Sequence, residues 1–199
     1  VSNENFESFF SGGVAVVNTT TVTVRGSIDE TGVVGVNGVP PQLSGLDFEL
    51  DVALKPGLNR ISATVDYTDS NPNPIRVADA KRVFLDNDAP LLQWITPSSG
   101  FETTAPTIVV GGRVSDDATP FLGFSSLSLS VNDTPVSHVE GRFALRITLD
   151  EGANNLVVRA TDSFGRETEK SRVVTRLPSG NVIIEATSND VSLTPLGLS

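Results

Sequence analysis

The 199-residue chain has no cysteine and no methionine, and only one histidine, one tryptophan and one tyrosine. Without cysteine there are no disulfides and no thiolate metal sites, a pattern that suits a bacterial exported protein better than a small disulfide-stapled eukaryotic domain. The single histidine, His138, leaves one imidazole for any nucleophile–base–acid arrangement. Its neighbours Ser137 and Val139 lie in an expected hairpin without a Gly-x-Ser-x-Gly turn, so it reads as a solvated loop residue and no catalytic residue is assigned. Phosphate-cradling and dinucleotide glycine motifs are also missing. Basic residues are few: 14 Lys and Arg stand against 24 Asp and Glu, a net charge of −10 spread over the whole length. With no basic face to neutralise phosphates, nucleic acid is excluded as a partner. No apolar run reaches 18 residues, so membrane insertion is not expected. Residues 1–20 lack the basic start of a signal peptide, which implies that any export signal is removed or left out.

What is present is a stretch that occurs twice. Val36-Asn37-Gly38-Val39-Pro40 reappears as Val131-Asn132-Asp133-Thr134-Pro135. Phe48, Leu54, Gly57 and Asn59 reappear as Phe143, Leu149, Gly152 and Asn154, all at a spacing of 95 residues. A constant register over this span indicates a tandem duplication. The expected division is a leader at 1–13, a first domain at 14–88, a second at 89–178, and a linker or the start of a further repeat at 179–199.

Both copies read as strands. Phe48, Leu50, Val52 and Leu54 alternate with Glu49, Asp51 and Ala53, which gives one buried and one wet face. Asn37-Gly38 is a two-residue hairpin signal, because both residues tolerate positive φ. Further short strands are expected at 14–17, 21–24, 33–36, 59–67 and 81–85, and in the second copy at 91–96, 107–114, 126–131, 142–149, 155–161 and 169–176. Val182-Ile183-Ile184 reads as one more. Phe6, Phe9 and Phe10 could share one helical face but span too few turns to stand alone. No segment sustains a 3.6-residue apolar period, so no helix is expected, and the second copy carries a longer loop around 119–125. Short strands every 8–12 residues, broken by Gly, Pro, Asn and Asp, predict an all-β protein of two tandem antiparallel sandwiches.

The order of these motifs resembles the bacterial immunoglobulin-like modules, especially the group similar to domain B of glucodextranase. The second copy carries the resemblance in Val110, Gly112, Val114 and Asp116, in Val131-Asn132, in Phe143, Leu149, Gly152 and Asn154, and in Ala160-Thr161-Asp162 with Gly165. The first copy matches through Val24, Gly26, Ile28, Val36-Asn37-Gly38, Phe48, Leu54, Gly57 and Asn59, then departs at Val65-Asp66-Tyr67 and a Pro-rich loop. The resemblance implies a non-catalytic spacer or stalk of a larger surface or secreted protein. Its partners would be neighbouring domains of the same longer chain, or a surface protein or glycan. The corresponding location is extracellular or at the cell surface.

One constellation could carry chemistry. The junction Leu85-Asp86-Asn87-Asp88-Ala89-Pro90 resembles a cadherin linker, in which Asp and Asn oxygens hold Ca²⁺ between successive domains. Asp86, Asn87 and Asp88 could supply part of the six to eight oxygens that such an ion needs. Asp116 and Asp117, on the loop that matches Asp29-Glu30 of the first copy, could supply more. The competing reading has the Asp and Asn residues capping turns and Pro90 fixing the linker, with no metal. Trp94, just past the junction, is expected to pack between the domains rather than to stack on a sugar. Asn18-Thr19-Thr20 and Asn132-Asp133-Thr134 fit the N-glycosylation pattern, which matters only in a eukaryotic secretory route.

Overall fold

The computed structural model describes residues 9–11, 13–67 and 75–179. Strand alternation accounts for almost all of it. In the first half, β1 (Phe9–Ser11), β2 (Val14–Val17), β3 (Thr21–Ser27) and β4 (Val33–Val36) are followed by β5 (Gln42–Ser44), β6 (Asp47–Ala53), β7 (Gly57–Tyr67) and β8 (Ile75–Leu85). They form two sheets, ordered β1-β2-β8-β7-β4 and β3-β6-β5. The second half runs β9 (Leu91–Thr96), β10 (Glu102–Thr103), β11 (Thr107–Ser115), α1 (Thr119–Leu122), β12 (Ser128–Val131), β13 (Thr134–Pro135), β14 (His138–Val139), β15 (Arg142–Thr148), β16 (Gly152–Thr161) and β17 (Glu167–Arg176). Its sheets are ordered β14-β15-β11-β9 and β10-β17-β16-β12-β13.

Each half buries its own core. Val22, Val24, Val36, Phe48, Ile61 and Leu85 are among the residues closing the first. Leu92, Trp94, Val110, Phe143, Leu156 and Val174 are among those closing the second. β6 and β15 show the same burial alternation, Phe48 and Phe143 inward, because the side-chain period of two puts alternate residues on one face.

The duplicated motif has a structural reason at each position. Asn37 and Asn132 sit at φ 49° and 46°, and their Oδ1 atoms accept hydrogen bonds from the amides of Ser62 (2.9 Å) and Val157 (2.8 Å). Asn tolerates this left-handed conformation and also ties the hairpin to the neighbouring strand. Gly57 and Gly152 lie at φ 85° and 91°, where a Cβ is disfavoured. The Asn59 side chain then closes the turn, accepting from Lys55 N (2.9 Å) and donating to Lys55 O (2.7 Å) and Gly57 O (2.8 Å). Asn154 makes the same three bonds to Asp150 and Gly152.

Several sequence expectations need correction. The long loop near 119–125 contains the one-turn α1 and a 3₁₀ turn at Phe124–Ser126. Both are too short to show a periodic pattern, and Asp116 nucleates α1 by accepting the Ala118 amide at 2.8 Å. Phe9 and Phe10 belong to a β-hairpin with β2, not to a helical face. The last strand of the first half starts at Ile75 rather than at Lys81, pairing with the whole of β7. His138 is half-buried on β14 with Nε2 at 3.0 Å from the Leu127 carbonyl oxygen, not free in a loop. Trp94 lies in the core of the second half, 5% exposed, and is absent from the apolar contact between the halves. It sits on the inward face of β9 with Leu92. Phe6, the loop at 69–74 and the run 182–184 fall outside the described residues.

Candidate functional site at the domain junction

The two halves meet through an apolar plug and a charged cluster side by side. The plug consists of Val14, Val16 and Phe84 from the first half and Ala118 from the second, with Phe121, Leu122 and Phe164 packed around them. Phe84 and Phe121 stack at a centroid distance of 4.8 Å, tilted by 44°. α1 supplies three of these side chains or their flank, so the extra loop length of the second copy builds the contact.

The charged cluster centres on Arg166, which follows the tight loop between β16 and β17. Asp162 shapes that loop: its Oδ1 accepts from the amides of Phe164 (2.8 Å) and Arg166 (2.9 Å), and its Oδ2 accepts from Arg166 Nε (2.8 Å). Held this way, the guanidinium reaches across the junction. Nη1 donates to the Asp86 carbonyl oxygen at 2.6 Å and Nη2 lies 2.7 Å from Asp86 Oδ1. Asp86 is itself anchored in the first half by donating its amide to Val17 O (2.8 Å). Nearby, Thr168 Oγ1 donates to Pro90 O at 2.6 Å, fixing the linker against β17.

Asp86 is 2% exposed, a rare position for a carboxylate. Neither of its side-chain oxygens accepts a well-aligned hydrogen bond, so the Arg166 contact is an ion pair more than a hydrogen bond. Burial pushes its pKa up to about 6, helped by the negative charge of Asp116 and opposed by Arg166. Burial likewise raises Asp116, while the hydrogen bond from the Ala118 amide works against it. Asp86, Asp116 and Asp162 each offer a carboxylate oxygen, and these oxygens lie within 4.8 Å of one another.

Of the residues proposed from sequence, Asp86 and Asp116 come together around Arg166. Asn87, Asp88 and Asp117 are exposed and stand apart from that cluster. With Asp86 they line a small recess of about 180 Å³ beside Pro56 and Gly57. Arg166 and Asp162 carry no site motif in the sequence. The Asp162-Ser163-Phe164-Gly165 turn was visible in the sequence, but its register against Asp86, 76 residues earlier, is a product of the fold. The Arg166 guanidinium already places one positive charge among the three carboxylates, and an ion bound there would have to displace it.

Residues 90–177 match the family described as glucodextranase, domain B. The second half is an immunoglobulin-like module similar to that family. The first half shares its strand register through the 95-residue repeat. Among curated proteins, Bacillopeptidase F of Bacillus subtilis (strain 168) is 31% identical over 130 residues, 64% of this chain and 8% of that protein. The chain therefore spans only a small part of this relative. Among solved structures, the fibronectin(III)-like modules of Clostridium thermocellum CbhA are 10% identical, covering 93% of this chain and 99% of theirs at a TM-score of 0.36. Extracellular cadherin domains 1–4 of protocadherin gamma B7 are 14% identical, covering 88% of this chain and 46% of theirs at 0.36. Neither structure shares enough sequence or overall geometry to bear on function. Among the described residues, no helix is long and apolar enough to cross a membrane.

Proposed function

We propose that this chain is a non-catalytic connecting piece of a longer exported bacterial protein, two modules clamped end to end so that a neighbouring domain is held at a set distance and angle. The observation that carries this reading is the junction. Arg166 bridges Asp162 of its own module to Asp86 of the other, and the Phe84–Phe121 plug lies beside it. A free hinge would not bury a carboxylate and an apolar cluster at the same point, because both are costly to expose and re-bury during motion. The partners are then neighbouring domains of the same chain, and the location is extracellular or cell-surface. The similarity to a short stretch of the much longer Bacillopeptidase F supports a modular role. The test is solution NMR on the intact chain. Shared rotational diffusion of the two modules, lost on Arg166→Gln, is the expected result; independent tumbling of the unaltered protein would reject the clamp.

A second reading is a calcium-stiffened junction. It is favoured by the recess that gathers Asp86, Asn87, Asp88 and Asp117, next to the triad of Asp86, Asp116 and Asp162. Calorimetric unfolding with Ca²⁺ against excess chelator separates the two, since an ion that binds only the native state must raise its stability. A rise in melting temperature that disappears in Asp88→Ala supports calcium. An unchanged melting temperature leaves Arg166 as the cation of the junction. Glycan stacking has less to rest on, because Trp94 is buried and Tyr67 half-buried against the first core.

A further inference from the structure

Charge that is evenly spread along the chain is sorted by face once it folds. In the sheet β14-β15-β11-β9, alternate residues point away from the core, because the side-chain period of a strand is two. Pairing sets Arg113 opposite Arg142, Gly111 opposite Ala144 and Val109 opposite Arg146 on that outer face. Gln93 of β9 lies beside Arg113, and Val139 of β14 beside Arg142. All three arginines are exposed, and none of the four strands contains an Asp or Glu. Arg146 donates to Thr107 Oγ1 at 3.3 Å, and among the described residues none of the three has an anionic partner. Like charges set opposite each other on neighbouring strands, as in Arg113 and Arg142, work against the pairing. An anion over this face would relieve that repulsion.

The first module has the opposite sign at the same repeat positions. Its sheet β3-β6-β5 matches β6 to β15 through the 95-residue spacing, so Asp47 stands for Arg142, Glu49 for Ala144 and Asp51 for Arg146. On the outer face Asp47 lies opposite Ser27, Glu49 opposite Arg25 and Asp51 opposite Thr23. Glu49 pairs with Arg25 at 2.7 Å, and Asp51 accepts from Thr23 Oγ1 at 2.7 Å. Among the described residues, neither Asp47 nor Asp51 has a cation beside it. The surface next to Asp47 and Glu49 is concave, a recess of about 670 Å³ that Ser27, Gln42 and Ser44 also line.

We propose that the face carrying Arg113, Arg142 and Arg146 in the second module docks on the face carrying Asp47, Glu49 and Asp51 in the first module of a second copy of this chain. The duplication makes the two rows match. Arg142 and Arg146 are four residues apart, as are Asp47 and Asp51, so each row spans about 13 Å along its strand. Two ion pairs therefore close together, whichever way the facing strands run. The planar guanidinium fork suits a carboxylate, and Arg113 adds a third cation on the same face. Each copy carries a net charge of −10, so copies repel in general and attract where this basic face meets an acidic one.

A second copy is needed because neither face takes part in the contact within the chain. That contact uses β2 and β8 of the first module, which belong to its other sheet, and α1 of the second. The docking does not depend on the clamp at the junction; a rigid monomer would satisfy that reading and defeat this one.

Exposed ion pairs are individually weak, so the experiment is sedimentation velocity of the full 199-residue chain from about 10 μM to about 1 mM. One variant combines Arg142→Asp with Arg146→Asp and another combines Asp47→Lys with Asp51→Lys, each checked for unchanged thermal unfolding. The expected result is concentration-dependent association of the unaltered chain, weakened on the order of 10-fold in either variant alone. Mixing the two variants should restore it, since the acidic second module of one then meets the basic first module of the other. A monomer at every concentration overturns the proposal, as does association that survives either reversal or a mixture that does not recover. A monomer that instead binds polyphosphate, and loses that binding with Arg142→Asp and Arg146→Asp, makes a polyanion the occupant and likewise overturns it.

Discussion

Arg166 and Asp86 make the junction sensitive to both mutation and pH. Arg166 is the cation facing Asp86 and Asp162, and Asp116 lies within the same cluster. Removing one partner of a buried pair leaves an uncompensated charge and costs about 3–5 kcal/mol. Arg166→Gln is therefore expected to lower stability by roughly that amount, read by chemical denaturation. Arg166→Lys should recover only part, because one ammonium cannot span both carboxylates as the planar fork does. The pH dependence runs opposite to that of a typical paired carboxylate. Asp86 has a native pKa of about 6, above its ordinary 3.8, so between these values the folded chain binds a proton that the unfolded chain does not. Its contribution to stability is complete below about pH 4 and is lost as pH rises through 6. Calorimetry from pH 7.5 to 5 should show the melting temperature holding or rising, with at most about 3 kcal/mol at stake, and Asp86→Asn should flatten that trend.

The turns and the one-turn helix act at the scale of elements. Asn59 and Asn154 each close the turn into their long strand with the same three hydrogen bonds. Replacing either with alanine should cost about 0.5–1.5 kcal/mol, similar in both modules, because the turn loses its side-chain closure while its largely exposed backbone groups can turn to water. A large difference between the two in calorimetric unfolding would argue against a shared role. α1 acts differently, since it exists to face the other module. Phe121→Ala should remove the ring stacked on Phe84 and cost about 2–4 kcal/mol, near the lower end for a partly exposed site. Its expected signature is a single unfolding transition splitting into two, with Trp94 fluorescence following the second module alone.

For the whole molecule, the consequence is cooperativity between two cores that could each close alone. The junction couples them through one ion-pair network and one apolar plug, and the unaltered chain should melt as one unit. Disabling both with Arg166→Gln and Phe121→Ala should give two independent transitions and a longer, more variable shape in small-angle scattering. If the double variant still melts as one unit, the linker 86–90 is sufficient for coupling and the clamp is dispensable.

Much of this architecture could be read from residues whose reasons are local. The 95-residue register, the positive-φ Asn and Gly pairs, and the Phe48 and Phe143 alternation belong to turns and strands that neighbouring residues specify. The all-β class and the duplication followed from them. Asp86 and Asp116 could be proposed together with Asn87, Asp88 and Asp117 because all five lie in acidic, turn-like stretches. Three features needed the folded chain. Arg166 meets Asp86 only because β8 and the β16–β17 loop end at the same pole, and nothing local to either segment records that. Trp94 belongs to the second core rather than to the interface because β9 pairs with β11 and turns its alternate residues inward. Among the described residues β3 pairs with β6 alone while β11 pairs with both β15 and β9, a difference that shows only when one module's pairing is set beside the other's. Backbone conformation and side-chain alternation are short-range and survive in a string of letters. Partnerships between distant segments depend on which ends the chain brings together, and they exist only after it has folded.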